Sequence, residues 1–295
     1  MRLLALTCEV LARSVYLCAA RSPHVVDVRL NRRGLHDDPP NLRAILQGEI
    51  DAAGADGAAG AVSAPMAGSA GARATAGAAG AAAAAGAPGA GAAAAAGAPA
   101  APYDAIVLAY GLCGAATAGL RAGSIPLVVP RAHDCITLFL GSRDRYTAEF
   151  TGHPGTYWYV EDFVERSDDG GAFTGIGAVS DAEARATYEE YVAKYGEDNA
   201  AYLMEALGGW SSHYDRAAFV DMAVADARVA AAAEAQARHD AERRGWTFEK
   251  LTGELILVRR LINGDWGAED FLVLQPGERL AMSYDEAVIR VEPTG

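Results

Sequence analysis

The sequence predicts an α/β protein with a doubly wound, mostly parallel sheet of the Rossmann-like type and helices on both of its faces. Short runs rich in Val, Ile and Leu alternate along the chain with stretches in which apolar residues recur at helical spacing. The short runs are apolar throughout, which is typical of parallel strands covered on both sides. This alternation of strand and helix is the pattern of a parallel sheet.

The first half of the chain carries four predicted strands. They occupy residues 2–7, 24–30, 103–110 and 125–130. A helix is predicted to begin at Cys8, directly after the first strand. Another is predicted over 37–51, because an acidic and proline-rich start is followed there by apolar residues at helical spacing.

The second half repeats this alternation less regularly. Strands are predicted over 155–160, 216–224 and 270–280, and helices over 180–196, 199–209, 225–245 and 252–264. The helix over 180–196 has a favourable N-cap residue in Ser180 and ends at a glycine. The second half therefore extends the α/β pattern of the first.

Residues 52–101 interrupt the pattern, since almost all of them are Ala or Gly. Recurrent Gly and Pro break the helix that Ala would favour, and there are almost no large apolar side chains to pack. We interpret the segment as a flexible insert in a surface connection, with a functional linker as the alternative. Residues 1–51 and 102–295 then form a single α/β domain, or two lobes that comprise 1–160 and 161–295.

Composition narrows the class of protein. The net charge is −13 and no Lys/Arg cluster occurs, so we expect no nucleic-acid partner. Glu9 and Arg13 interrupt an N-terminal apolar run that otherwise resembles a secretory signal, and no run is apolar enough to span a membrane. Four cysteines in so long a chain do not form a disulfide framework, which favours a reduced, cytoplasmic protein.

Chemically reactive residues follow each of the first four predicted strands. Cys8 follows the first strand, His36 the second, Cys113 the third, and Arg131, His133, Asp134 and Cys135 the fourth. The carboxyl ends of parallel strands meet at one edge of a sheet, where ligands bind. We therefore expect these side chains to line one site.

The residue types at this edge indicate a metal centre. Thiolate and imidazole are the ligands that zinc and similar metals prefer. We predict Cys8, Cys113, His133 and Cys135 as the ligands of zinc or another transition metal. They come singly from separate strands and not from paired CxxC motifs, which is typical of an open centre that handles a substrate.

Further residues complete the predicted site. His36, Arg131 and Asp134 are the candidate catalytic residues, and His36 is also a candidate fifth ligand or proton carrier. Gly111 and Gly114 flank Cys113 and would allow a cofactor or the backbone to approach closely. As alternatives, each cysteine could be a small core residue, and Arg131 and Asp134 could simply pair with each other.

The thiols are expected to be ionised. Cys8, Cys113 and Cys135 are each predicted to begin a helix, and a helix N-terminus lowers the pKa of a thiol. Three functions remain open: a metal-dependent enzyme acting on a small-molecule substrate, a metal-free enzyme that uses a Cys/His pair, and a metal-binding module without turnover.

Several motifs together resemble those of the prokaryotic family named domain of unknown function 1638. They are TCEVL, GLHDDPPNL, YGLCG, PRAHDCITLFLGSRDRY, GTYWYV and GDWGAEDFLVLQPG. The resemblance implies that Cys8, His36, Cys113, His133 and Cys135 belong to one motif set. It also implies an association with corrinoid-dependent methyl transfer, either as an enzyme or accessory that meets a corrinoid protein, or as a corrinoid-binding module.

Overall fold

The computed structural model describes residues 1–55, 103–113, 115–166, 188–194, 196–197, 199 and 214–293. Over these residues the chain is a mixed α/β fold, in which a mostly parallel five-stranded sheet packs with helices. No helix in this part of the chain is long and apolar enough to cross a membrane.

The described strands and helices follow the predicted alternation. The strands are β1 (Arg2–Cys8), β2 (Val25–Asn31), β3 (Ala105–Ala109), β4 (Leu127–Pro130), β5 (Thr156–Val160), β6 (Arg216–Asp221), β7 (Thr247–Thr252), β8 (Phe271–Leu274), β9 (Leu280–Met282) and β10 (Ile289–Val291). The α-helices are α1 (Ala12–Ala19), α2 (Pro39–Ala55), α3 (Cys135–Leu140), α4 (Arg143–Gly152), α5 (Glu161–Glu165), α6 (Ala227–Arg244) and α7 (Ile256–Ile262). Short 3-10 helices occupy Glu9–Leu11 and Leu35–Asp37.

The first sheet has the strand order β2-β1-β3-β4-β8. Its first four strands are parallel, and β8 joins β4 in the antiparallel direction. In β3 and β4 every residue is buried, as the unbroken apolar runs predicted. The four strands predicted in the first half of the chain are thus confirmed, and they form one sheet.

Helices cover both faces of this sheet. Alternate residues of β1 point to opposite faces, so Leu3 belongs to one hydrophobic cluster and Leu4 to another. Leu3 shares its cluster with Val15 of α1 and with apolar residues of α7. Leu4 shares its cluster with α2 residues such as Leu46. Both clusters are built of buried apolar side chains, among them many fully buried Leu, Ile and Val, whose burial drives the packing.

A second parallel sheet has the order β5-β6-β7. Helix α6 packs on it through Ala233, Ala237 and Ala241, which are buried and four residues apart. Val160 and Val220 of this sheet belong to the same cluster as Leu3 of the first sheet. The two sheets are therefore joined by a shared hydrophobic core.

Two predicted strands differ in length from those in the structure. The strand predicted over 270–280 is divided, because β8 ends at Leu274 and a turn at Gly277, with a φ of 87°, precedes β9. The strand predicted over 216–224 ends at Asp221, and Ala223 has a φ of 53° that an extended strand does not allow. Both differences come from local turns that apolar runs do not reveal.

The predicted insert and two of the predicted helices lie mostly outside the described residues. Residues 52–55, at the start of the predicted insert, continue α2, and 56–101 are outside the described residues. Of the helices predicted over 180–196 and 199–209, residues 188–194 are helical, and most of the remainder is likewise outside the described part.

Candidate functional site

A cavity of about 240 Å³ lies at the carboxyl ends of β1 and β3. The chain leaves β1 to form β2 on one side, and then returns to form β3 on the other side of β1. Such a reversal of direction opens a crevice beyond the strand ends, where ligands bind in open parallel sheets. The cavity is lined mainly by apolar side chains, together with a few polar groups.

Three cysteines from three different strand ends line this cavity. Cys8 is the last residue of β1, Cys113 lies in the turn after β3, and Cys135 is the first residue of α3 after β4. All three are free and half-buried, as expected for side chains whose accessible part faces a cavity. The structure thus brings together the three thiols that the strand-end argument predicted.

The turns that carry Cys113 and Cys135 are joined backbone to backbone. Leu112 N donates to Ala132 O at 2.8 Å, and Cys113 N donates to His133 O at 2.9 Å. Cys113 itself has a φ of 47°, in the left-handed region that residues other than glycine rarely adopt. Cys113 therefore lies in a turn, and the prediction that it begins a helix is wrong.

Gly111 allows these two turns to come so close. A Cβ on Gly111 would lie 2.5 Å from Cα of Asp134 and 2.7 Å from its N and C atoms. The close approach predicted at Gly111 is thus made by the backbone of Asp134. Gly111 also lines the cavity. The other predicted position, Gly114, lies outside the described residues.

Burial raises the pKa of all three cavity thiols. The pKa of Cys8 rises from 9.0 to about 11, that of Cys113 from 9.0 to about 12, and that of Cys135 well above 9.0. The neighbouring thiols and Asp134 add repulsion against ionisation of Cys113 and Cys135. The predicted lowering of these pKa values by helix N-termini is wrong, because burial outweighs it.

Asp134 is held by two hydrogen bonds at the edge of the cavity. Its Oδ1 accepts from Ile136 N at 2.9 Å, which caps α3, and its Oδ2 accepts from the Tyr146 hydroxyl at 3.0 Å. Burial raises the pKa of Asp134. Asp134 does not pair with Arg131, which donates instead to the backbone oxygens of Ala268, Ala287 and Ile289.

The two predicted histidines lie in different places. His36, on the 3-10 helix after β2, lines the thiol cavity, and its Nε2 is 3.4 Å from Oδ1 of Asp37. His133 is exposed and stacks on Tyr146 with 5.7 Å between ring centroids. It lines a separate groove together with Arg131. Of the four predicted metal ligands, Cys8, Cys113 and Cys135 share the cavity, and His133 lies outside it.

The second sheet supplies part of the cavity wall. Trp158 of β5 and Phe163 of α5 line the cavity together with the three cysteines. Helix α5 is fixed there by ion pairs of Arg13 with Asp162 and Glu165, and Asp162 is only 3% exposed. The sequence does not reveal Trp158 and Phe163 as site residues, because no local motif marks them and their position depends on how the two sheets pack.

The described side chains do not form a completed metal site. No group of three or more His, Cys, Asp or Glu residues in the described part of the chain is arranged to hold an ion. The cavity thus places three sulfur atoms and one imidazole around a shared space, without joining them at one point.

Comparison with known proteins gives one match. A family model described as a protein of unknown function (DUF1638) matches residues 93–262, which is more than half of the chain. No curated protein and no solved structure matches. The matched residues include Cys113 and Cys135, whereas Cys8 and His36 precede them.

Proposed function

The chain belongs to the DUF1638 family, and we propose that it binds a zinc-like, thiophilic metal ion through Cys8, Cys113 and Cys135 to act on a small-molecule substrate. The observation that carries this proposal is the meeting of three free cysteines, from three separate strand ends, in one cavity. Sulfur ligands that come singly from different strands are typical of an open centre. The cavity beside them has room for a substrate.

The ionisation behaviour of the three thiols is consistent with binding of a cation in the cavity. Each thiol is neutral in the free protein because burial raises its pKa, and ionising any one of them makes ionisation of the others less favourable. A bound dication would reverse this by stabilising the thiolates, with release of protons. The same raised pKa values disfavour the metal-free cysteine enzyme, which needs a thiolate at neutral pH.

We propose His36, and not His133, as the fourth ligand of the metal ion. His36 lines the cavity, whereas the ring of His133 stacks on Tyr146 in the neighbouring groove. Together with Cys8, Cys113 and Cys135, His36 would complete a set of four ligands.

We also infer that the five-stranded sheet is doubly wound in the Rossmann-like manner. Its order β2-β1-β3-β4 places the reversal of strand order between β1 and β3, and α1 and α2 pack on opposite faces. In folds of this kind the ligand lies at that reversal. Cys8 is the last residue of β1 and Cys113 follows β3, and these two strands flank the reversal.

The residues around the thiols suit chemistry away from water. Apolar side chains such as Leu42, Trp158 and Phe163 line the cavity, while His36 could carry a proton between the cavity and solvent. When bound, the metal would supply Lewis-acid stabilisation of an anionic sulfur or oxygen on the substrate. A role in corrinoid-dependent methyl transfer, with a corrinoid protein as partner, is the part of the proposal that rests on the family resemblance.

Metal analysis of variants tests the proposal. We expect protein purified without added metal to contain about one equivalent of zinc or another transition metal, and Cys8→Ser, Cys113→Ser and Cys135→Ser to bind zinc at least about 100-fold more weakly. Cys18→Ser is the matched control, because Cys18 is buried in α1 away from the cavity. Less than about a tenth of an equivalent, with stability unchanged by chelator, would contradict the proposal.

Two further measurements test the fourth ligand and the corrinoid role separately. His36→Ala should weaken zinc binding and His133→Ala should not, if His36 is the fourth ligand. A cobalamin titration with no spectral change would remove the corrinoid part of the proposal and leave the metal site intact.

A further inference from the structure

A second and larger cavity lies on the other side of the segment that carries Asp134 and Cys135. It is an open groove of about 690 Å³. One wall is formed by α4, and another by the turn between β9 and β10. The thiol cavity and the groove share no lining residue, so the two are separate sites.

Two arginines line this groove and are held by backbone oxygens. Arg131 donates from Nε to Ala268 O at 2.8 Å, and from Nη1 to Ala287 O at 2.9 Å and Ile289 O at 2.5 Å. Arg143 donates from Nη1 to Glu269 O and from Nη2 to Glu286 O. These contacts fix the position of both guanidinium groups without neutralising their charge.

Donors remain on both guanidinium groups. A guanidinium has five N–H groups, so the contacts of Arg131 leave both hydrogens of Nη2, and those of Arg143 leave Nε–H and one hydrogen on each Nη. Neither arginine forms an ion pair with a carboxylate among the residues described. Burial and the nearby charge of Arg143 lower the pKa of Arg131. The pair therefore presents positive charge that no direct ion pair neutralises in the described structure, although Asp285 acts on Arg131 from a distance.

A buried hydroxyl without a hydrogen-bond partner belongs to a residue that borders the same groove. Thr137 of α3 lines the groove and is 1% exposed, and its Oγ1 has no hydrogen-bond partner in the described structure. Buried hydroxyl groups in proteins are nearly always hydrogen-bonded. An acceptor atom on a bound molecule would supply the missing partner.

We propose that the groove binds a small polar molecule through a phosphate or carboxylate group, held by Arg131 and Arg143 and accepting from Thr137. Arginine suits this role because its planar N–H groups match the oxygens of both anions. Asp144 and Glu286 also line the groove, which favours a ligand with a single anionic group and other hydrogen-bond donors over a polyanion. His133 and Tyr146 offer aromatic and polar surface to the rest of the ligand.

The test is a titration with sodium phosphate and with sodium acetate, each against sodium chloride of equal ionic strength. Binding is followed by calorimetry and by thermal unfolding, in the presence of chelator, so that the result is independent of the metal site. We expect saturable binding of one anion or of both, and the two titrations tell phosphate from carboxylate. Lack of saturable binding of either anion would overturn the proposal.

Three variants locate the binding. Arg143→Gln and Thr137→Val should each weaken the binding at least about tenfold, since each removes a donor to the anion. Arg145→Gln is the matched control on the same helix, because Arg145 contacts Leu140 O and Thr252 O and does not line the groove. Thr137→Val keeps the shape of the side chain, so equal binding by this folded variant and the parent would overturn the assignment.

Discussion

Several ionisable side chains that have little contact with solvent and no ion pair are held in their neutral form. The three cavity thiols are one example, and Glu161, at the start of α5, is another. Glu161 is 1% exposed, and its Oε1 accepts from Met222 N at 3.0 Å, while its Oε2 has no hydrogen-bond partner among the residues described. Burial raises the pKa of Glu161 from 4.5 to about 7, with a smaller effect from Asp221. Ionisation of this group therefore opposes folding near neutral pH.

The stability of the protein should consequently depend on the charge of Glu161. Because its pKa in the folded state lies above the ordinary value of 4.5, its contribution is fully present below pH 4.5 and is lost as the pH rises through about 7. Between pH 5 and pH 8 we expect the free energy of unfolding of the parent to fall by about 2 kcal/mol relative to Glu161→Gln. Urea denaturation at several pH values measures this, and parallel pH profiles for the two proteins would refute it.

At the scale of elements, the site depends on two turns that touch through their backbones. The turns after β3 and β4 are joined by the hydrogen bonds from Leu112 and Cys113, and Gly111 supplies the space for Asp134. A rigid contact of this kind fixes the separation of Cys113 and Cys135 before any ligand binds. Backbone packing therefore sets the geometry of the site as much as the side chains do.

Substitution of Gly111 tests this dependence. In Gly111→Ala the new Cβ would lie 2.5 Å from Cα of Asp134, and backbone atoms cannot move aside easily. We expect a loss of about 1–3 kcal/mol in the free energy of unfolding and weaker zinc binding. Gly48→Ala in α2 is the control, since nothing lies within 4 Å of its added Cβ, and it should stabilise by about 0.5–1 kcal/mol. A Gly111→Ala protein as stable as the parent would show that the turns can separate freely.

The sequence predicted these elements well because their signals are local. Unbroken apolar runs placed β1, β3 and β4 to within about three residues at each end, and the strand-end rule then brought Cys8, Cys113 and Cys135 together. The same rule could not distinguish His133 from Asp134. In an extended segment neighbouring side chains point to opposite sides, so Arg131 and His133 line the groove while Asp134 lines the thiol cavity.

The sequence could not predict the raised pKa values of the thiols or the positions of Trp158 and Phe163 in the cavity wall, and the reason is a different one. Burial of Cys8, Cys113 and Cys135 results from the whole surrounding packing and outweighs any helix N-terminus. Trp158 and Phe163 reach the cavity only because the second sheet shares a core with the first. Both features depend on contacts between distant parts of the chain.

For the molecule as a whole, the candidate site lies at one edge of the first sheet. The thiol cavity lies at the carboxyl ends of the strands. The Ala/Gly-rich residues begin near the opposite edge, where the Cβ position of Gly54 lies 2.7 Å from Oγ of Ser124, just before β4. The chain re-enters the described structure at the start of β3, where Asp104 accepts from Arg2 N at 2.6 Å. The predicted insert and the site are thus attached to opposite ends of the same strands.

Shortening the insert should therefore leave the site intact. We expect a protein in which a short Gly/Ser linker replaces residues 56–101 to fold, and to bind zinc with the affinity of the parent. Its free energy of unfolding should rise by about 1–2 kcal/mol, because each halving of a flexible connection lowers the closure cost by about 0.6 kcal/mol. Circular dichroism, urea denaturation and zinc titration check this. A loss of zinc affinity in the folded, shortened protein would show that the segment contributes to the site.

The separation of the two sheet edges also makes the protein convenient to observe. A reporter attached at Ala52, which is exposed near the end of α2, would lie at the far end of the strands, roughly 20 Å of strand length from Cys8 at the end of β1. A fluorophore attached there would lie within the range over which energy transfer to a cobalt-substituted or dye-labelled site is sensitive to small movements. The start of the Ala/Gly-rich segment therefore offers an attachment point for following binding events at the opposite edge of the sheet.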